Sequence, residues 1–390
     1  MRIQLKSGLP MVRRGPSTVQ IGVDARYGTI VDGLTGADLA LLDELAGGID
    51  DDTLDLPGTA RARSLVRLLG ETGVLQRTRR TGPAGWRPQA LRARLAPDAG
   101  AWSILQAGAS DGWGFVAPRR RAVVELQGEG RTAFLLAAAL AAAGVGTVRG
   151  AGTRLTVPGD VAPGGAAPDD VGTPFAAAVD RVARRAAGTP AARQEVVVAR
   201  PGPADVVVLV DRAAADPTRG DRLLAADVPH LSVVVRETSI VVGPFVRPGN
   251  GPCLRCLDLH RTDRDPQWPL VLAQLLRRPA ERRLPYEETA LAHVAAGIAA
   301  LQVLAHLDGR DAPAAAGATL EIELPHGLAG RRPWPAHPSC GCTWPPAGPP
   351  SRDPSTDPST QPRSTGPGAP ARASPGQDGR EGPRAETMLR

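Results

Sequence analysis

Ala122-Val-Val-Glu-Leu-Gln-Gly-Glu-Gly-Arg-Thr-Ala-Phe-Leu-Leu-Ala-Ala-Ala-Leu-Ala-Ala-Ala143 decides the fold class, because its pattern changes twice. Ala122–Leu126 reads as a strand and Gly128-Glu-Gly130 as a tight turn. Thr132–Ala143 reads as a helix, with Gly144 at its C-cap. Gly146-Thr-Val148 then supplies a short second strand. Strand, glycine turn, helix and strand make a βαβ unit. The expected architecture is therefore α/β, with a Rossmann-like, mainly parallel sheet. Downstream, the same reading gives a helix at Pro174–Ala187 and strands at Glu195–Ala199, Ala204–Val210 and Leu231–Val235. A long helix at Leu291–Leu307 and a late alternating strand at Thr319–Leu324 complete the domain, which spans 119–345.

Upstream, residues 1–78 read as a small winged-helix-like module. Thr18–Val23 alternates as a half-buried strand, Asp24–Gly28 turns, and Thr29–Val31 returns as the second strand of a hairpin. Thr35 with Asp38 three residues on resembles a capping box, and Leu39, Leu42 and Leu45 share one helical face. A second helix runs over Thr59–Glu71, Gly73 ends it, and Val74-Leu75 can pair back. The plainer reading of this unit is a packing extension of the larger domain. Residues 79–118 show no clear period and read as a linker with a little local structure, in which Trp86, Trp102 and Trp113 can pin a neighbour. Residues 346–390 are dominated by Pro, Ser, Thr, Gly and Arg, with the literal repeat Asp353-Pro-Ser-Thr-Asp-Pro-Ser-Thr360. Such a tail has too little apolar surface to offset the entropy of ordering, and is expected to be disordered.

Aromatics make up only 3% of the 390 residues, so the core must be built from Ala, Val and Leu. The net charge of +6 is carried by arginine, since Lys6 is the one lysine. Arginines are interspersed with 40 acidic residues and the longest basic run is Arg119–Arg121, which argues against a nucleic-acid partner. The most apolar window, Thr132–Val148, is short for a membrane span and reads as a buried helix. The N-terminal stretch does not fit a signal peptide, so a cytoplasmic location with reduced thiols is expected.

All four cysteines fall into two close pairs, Cys253-Leu-Arg-Cys256 and Cys340-Gly-Cys342. Two thiolate pairs at short spacing are what a closed, structural tetrahedral zinc site requires. A disulfide and buried free thiols are the rival readings. Reducing conditions oppose the first, and the use of every cysteine by the two pairs opposes the second. His260 and His337 lie near in sequence, either as substitute ligands or as ordinary polar neighbours. Gly128 and Gly130 at the start of a helix suggest a phosphate cradle for a nucleotide, or equally a bare turn.

Residues 121–345 resemble the ThiF family, adenylyltransferases related to ubiquitin-activating enzymes. The likeness rests on the strand-turn-helix at Val123–Ala143, on Ala143-Gly-Val-Gly146, on Asp205-Val-Val-Val-Leu-Val210 and on the paired cysteines. Gly243-Pro-Phe-Val-Arg-Pro-Gly-Asn-Gly-Pro-Cys-Leu-Arg-Cys256 is especially similar to the ThiF-like partners of YcaO cyclodehydratases, which belong to thiazole/oxazole-modified peptide biosynthesis. In those partners a module resembling PqqD captures a leader peptide, and residues 1–78 have its size and order. The resemblance implies a peptide ligand, a YcaO-type partner enzyme, and a homodimer. It also implies ATP with magnesium, the metal falling near Asp211, whose plainer reading is a solvated strand-end carboxylate. The chain departs from the family at telling positions. The third and fourth glycines of the loop G-x-G-G-x-G are Arg131 and Ala133. The ribose-binding carboxylate expected after the second strand is absent from Val148-Arg-Gly-Ala-Gly152, and the phosphate-binding lysine has no counterpart in the domain.

The sequence therefore predicts a scaffold with a degenerate nucleotide site that binds a peptide and delivers it to a partner enzyme. The first rival is an active ATP-dependent adenylyltransferase acting on a C-terminal carboxylate. A redox dinucleotide binder lacks the acidic residue it needs. A DNA-binding module would have only Arg61, Arg63 and Arg67 on its second helix.

Overall fold

The computed structural model describes residues 2–50, 60–78, 89–106, 108–188, 202–277, 287–343 and 384–387. The expected strand Glu195–Ala199, Trp86, and tail residues 346–383 and 388–390 lie outside them.

The N-terminal module opens with β1 (Arg2–Leu5) and β2 (Met11–Arg13). The hairpin forms as expected, β3 (Val19–Ile21) running antiparallel to β4 (Thr29–Asp32). Helix α1 (Gly36–Gly47) starts at the anticipated capping box: the Asp38 carboxylate accepts from the Thr35 N–H at 2.8 Å, and the Thr35 hydroxyl accepts from the Asp38 N–H at 3.3 Å. Such reciprocal capping satisfies two otherwise orphaned donors. β5 (Ile49–Asp50), α2 (Ala60–Glu71) and β6 (Leu75–Thr78) follow. β5 and β6 flank β1, both antiparallel, while β3 pairs β2 and β4 in a second sheet. Leu39, Leu42 and Leu45 bury against Ile21, Val31, Leu65 and Leu69, so this leucine face is the module's core.

The stretch expected to be a linker with a little local structure holds more helix than anticipated. Residues 89–105 form helix α3 (Gln89–Leu105), which runs through Pro97 and is followed by the single turn α4 (Trp113–Val116). Leu95 and Ala99 bury against Trp113 and Val116, and Trp102 stacks on Phe115 at 4.8 Å. Pro97 and the surrounding arginines hide a helical period that tertiary packing enforces.

The α/β domain then begins with β7 (Val123–Gly128), α5 (Arg131–Ala142), β8 (Thr147–Ala151), α6 (Phe175–Ala186) and β9 (Val206–Arg212). It continues through α7 (Pro217–Ala225), β10 (His230–Val235), β11 (Ser239–Val246), α8 (Leu254–Arg264) and α9 (Trp268–Leu276). It closes with α10 (Thr289–Asp308), β12 (Ala318–Glu323) and β13 (Ala329–Pro333). The seven-stranded sheet has the order β13-β12-β11-β10-β9-β7-β8. Strands β10, β9, β7 and β8 are parallel, as the βαβ reading requires, and β11–β13 extend the sheet antiparallel. One face is covered by α5, α6 and α10, whose Ala and Leu side chains pack on Val124, Leu126, Val208 and Val233. Helix α10 is long and apolar enough to cross a membrane by composition alone; here Ala292, Ala295, Ala299 and Val303 are buried in that core.

The tail expected to be wholly disordered contributes one strand, β14 (Arg384–Thr387), antiparallel to β4. The unpaired edge of β4 supplies the hydrogen-bonding partner that the tail's own composition lacks.

Candidate functional site

The C-terminal ends of β7 and β9 lie side by side, with Gly128 opposite Val210 in the register. This is the edge of a parallel sheet where ligands bind in open α/β folds. Gly128 has φ +149°, and a Cβ there would run into the Val210 carbonyl oxygen. Gly130, φ +93°, is the N-cap of α5. The structure thus brings Gly128, Gly130 and Asp211 to one edge.

What fills that edge is Glu287, a residue with no local sequence signal. It precedes α10 and is only 5% exposed. Its Oε2 accepts the Thr132 N–H at 2.9 Å, and a Cβ on Gly130 would strike its Oε1. The Arg131 guanidinium donates to the Glu287 carbonyl at 2.8 Å and to the Thr289 hydroxyl at 3.0 Å. Burial pushes the Glu287 carboxyl above the usual carboxylate range, while Arg212, 3.1 Å away, opposes the shift. Arg212 also pairs with Glu129 at 2.9 Å, and Arg154 links Glu129 at 2.7 Å to Asp160 at 2.9 Å.

Asp211 is ion-paired with Arg219 of α7 at 2.5 Å, and Arg219 also donates to the Gln127 carbonyl at 2.8 Å. The end of β8 carries Arg149, which pairs with Glu125 at 2.9 Å. Gly150 there lets the strand approach Ala176 and Val179 of α6. Lys6 is buried in the N-terminal module, where its ammonium donates to the Gln106 carbonyl at 2.9 Å.

The four cysteines come together as the spacing anticipates. Cys253 is the N-cap of α8, and the preceding chain and first turn place Cys256 beside it. The Sγ···Sγ distances are 3.9 Å for Cys253–Cys256, 3.5 Å for Cys253–Cys340 and 3.3 Å for Cys256–Cys342. All four sulfurs lie within 4.8 Å of one another. A disulfide would need about 2 Å. A tetrahedral ion with Zn–S of about 2.3 Å implies sulfurs about 3.8 Å apart, so the cluster can hold a metal such as zinc. The histidines face elsewhere: His337 Nε2 meets Asp263 at 2.9 Å while its Nδ1 accepts the Ser339 N–H, and His260 Nε2 meets the Pro335 carbonyl at 3.0 Å. Trp334, within 6 Å of the guanidinium carbons of Arg261, Arg264 and Arg332, donates its indole N–H to Thr319 at 3.0 Å. It fastens the Cys340–Cys342 segment to β12.

At the N-terminal module the edge of β4 is paired with β14, and α2 packs beside that strand. Leu39, Leu42 and Leu45, the leucines of the expected helical face, are core, and the helix next to the edge is α2.

No protein-family model matches the chain, and no curated protein sequence does. Solved structures do. E. coli MccB in complex with MccA-N7isoASN superposes with a TM-score of 0.58 at 14% identity, covering 88% of this chain and 99% of that one. E. coli MccB with ATP gives 0.57 at 15%, covering 88% and 99%. SeMet PaaA gives 0.60 at 15%, covering 83% and 98%. MccB is a Microcin C7 biosynthetic enzyme, also solved with N-formylated MccA. The chain has the ThiF-like fold of MccB and PaaA.

Proposed function

We propose that this chain is a peptide-binding scaffold on a ThiF-like fold with a degenerate nucleotide site, and that it delivers its peptide to a cyclodehydratase-type partner enzyme. The observation that carries this reading is the Glu287 carboxylate at the N-terminus of α5. A helix N-terminus binds phosphate through free N–H groups and a positive dipole end. Here the Thr132 N–H is already bonded to the Glu287 carboxyl, which occupies the place a phosphate would take. Arg131 and Ala133 each carry a Cβ where the family loop has glycine. Asp211, the magnesium candidate, is neutralised by Arg219. ATP with magnesium therefore does not fit the residues present.

The cysteine set fits zinc in a structural role. Four sulfur ligands leave no open position for substrate, so the ion would tie Cys340 and Cys342 to α8. Peptide binding is supported by the likeness of fold to MccB over 88% of this chain, MccB having been solved with the MccA peptide. The same likeness, including the ATP complex, favours the second reading, an ATP-dependent adenylyltransferase acting on a peptide or protein C-terminal carboxylate.

The test reconstitutes the chain with a YcaO-type enzyme and a precursor peptide encoded nearby. A scaffold raises the partner's turnover at low peptide concentration without consuming ATP itself. A partner that processes the peptide equally fast without the chain contradicts the proposal, and ATP–pyrophosphate exchange by the chain alone would favour the second reading.

A further inference from the structure

Strand β4 would be the open edge of the β2-β3-β4 sheet were it not for β14. An open edge presents unpaired N–H and C=O groups and pairs readily with an extended segment. The segment seated there belongs to the chain itself. Its register sets Arg384 opposite Asp32, Ala385 opposite Val31, Glu386 opposite Ile30 and Thr387 opposite Thr29. The residue types alternate in step with β4, whose Thr29 and Val31 are buried and whose Asp32 is exposed. The small Ala385 and Thr387 occupy the positions opposite the buried pair. The charged Arg384 and Glu386 occupy the positions opposite Asp32 and Ile30.

The sequence of the tail supports the same assignment. Residues 346–383 are interrupted throughout by Pro and Gly, which suits them to connect rather than to pair. The run changes at Pro383: Arg384-Ala-Glu-Thr-Met-Leu-Arg390 contains neither residue and can keep a ladder.

We propose that β14, residues 384–387, is an in-cis occupant of the β4 edge, and that an extended peptide entering this site must displace it. The competition rests on the peptide-binding reading above; the occupancy does not. Covalent attachment to the same chain gives the strand an effective concentration on the order of millimolar. Even a weak strand then holds the edge until a tighter peptide arrives, so the tail would set an affinity threshold for peptide loading.

Hydrogen exchange over residues 29–32 tests this in the full chain, in a variant ending at Pro383, and in Ala385→Pro, whose ring disfavours strand pairing. A synthetic peptide of residues 379–390 serves as the probe. The proposal expects exchange over 29–32 to rise about tenfold or more in both variants. Millimolar probe should restore protection in the shortened chain and change nothing in the full chain. Equal exchange in the full and shortened chains would overturn it. Candidate leader peptides, added to the shortened chain, separate the two ideas. Protection by the probe but by no leader peptide supports in-cis pairing and counts against leader capture alone. Leader binding with the same affinity in full and shortened chains leaves leader capture standing and overturns the tail's competition.

Discussion

Arg119 is 3% exposed and pairs with Asp308 at 2.6 Å and Asp98 at 3.3 Å, while donating to the Ala143 carbonyl at 3.0 Å. One guanidinium thereby joins α3, the end of α5 and the end of α10. Removing one partner of a buried pair strands the other charge, so Arg119→Ala should cost about 3–5 kcal/mol in urea unfolding. Wild-type stability in that variant would contradict this. In the sequence Arg119 is indistinguishable from Arg120 and Arg121, because pairing partners 21 and 189 residues away leave no local mark. Glu287 escaped notice for the same reason. Glu287→Ala should lose about 2–4 kcal/mol by orphaning the Thr132 N–H and leaving Arg212 short of a partner. The same unfolding experiment checks it.

At the scale of elements, local signals were read well where one short stretch held the whole instruction. The β7–turn–α5 unit, the capping box of α1 and the hairpin β3–β4 are of this kind. Helix α3 leaves little local signal because Pro97 and scattered arginines interrupt its apolar face, and β11 and β13 lie among turn residues that obscure them. Both cysteine pairs were legible from spacing; their meeting is produced by β13 and Trp334, which turn the C-terminal segment back on α8. One metal per chain is expected by elemental analysis, and Cys340→Ser should lose it and lower the melting temperature. Burial pushes the Cys342 thiol up to about 11, so without metal it is protonated at neutral pH. Metal uptake must then release protons, and retention should weaken as pH falls. A chain retaining its metal equally at pH 5 and pH 8 in competition with a chelator would contradict this.

Across the whole molecule, the fold is that of MccB over 88% of the chain, yet its glycine edge is lined by the chain's own ions. Half of this was visible in the sequence: the turn, Arg131, Ala133 and the missing carboxylate after β8. The other half, Glu287 against α5 and Arg219 on Asp211, exists only once the sheet and α10 have assembled. Whether that edge still accepts a nucleotide is the question on which scaffold and enzyme part. The direct measurement is calorimetric titration of the full chain with Mg·ATP, paired with ATP–pyrophosphate exchange in the presence of a precursor peptide. The scaffold account predicts no saturable binding up to millimolar ATP and no exchange. Micromolar affinity, or exchange above background, would contradict it.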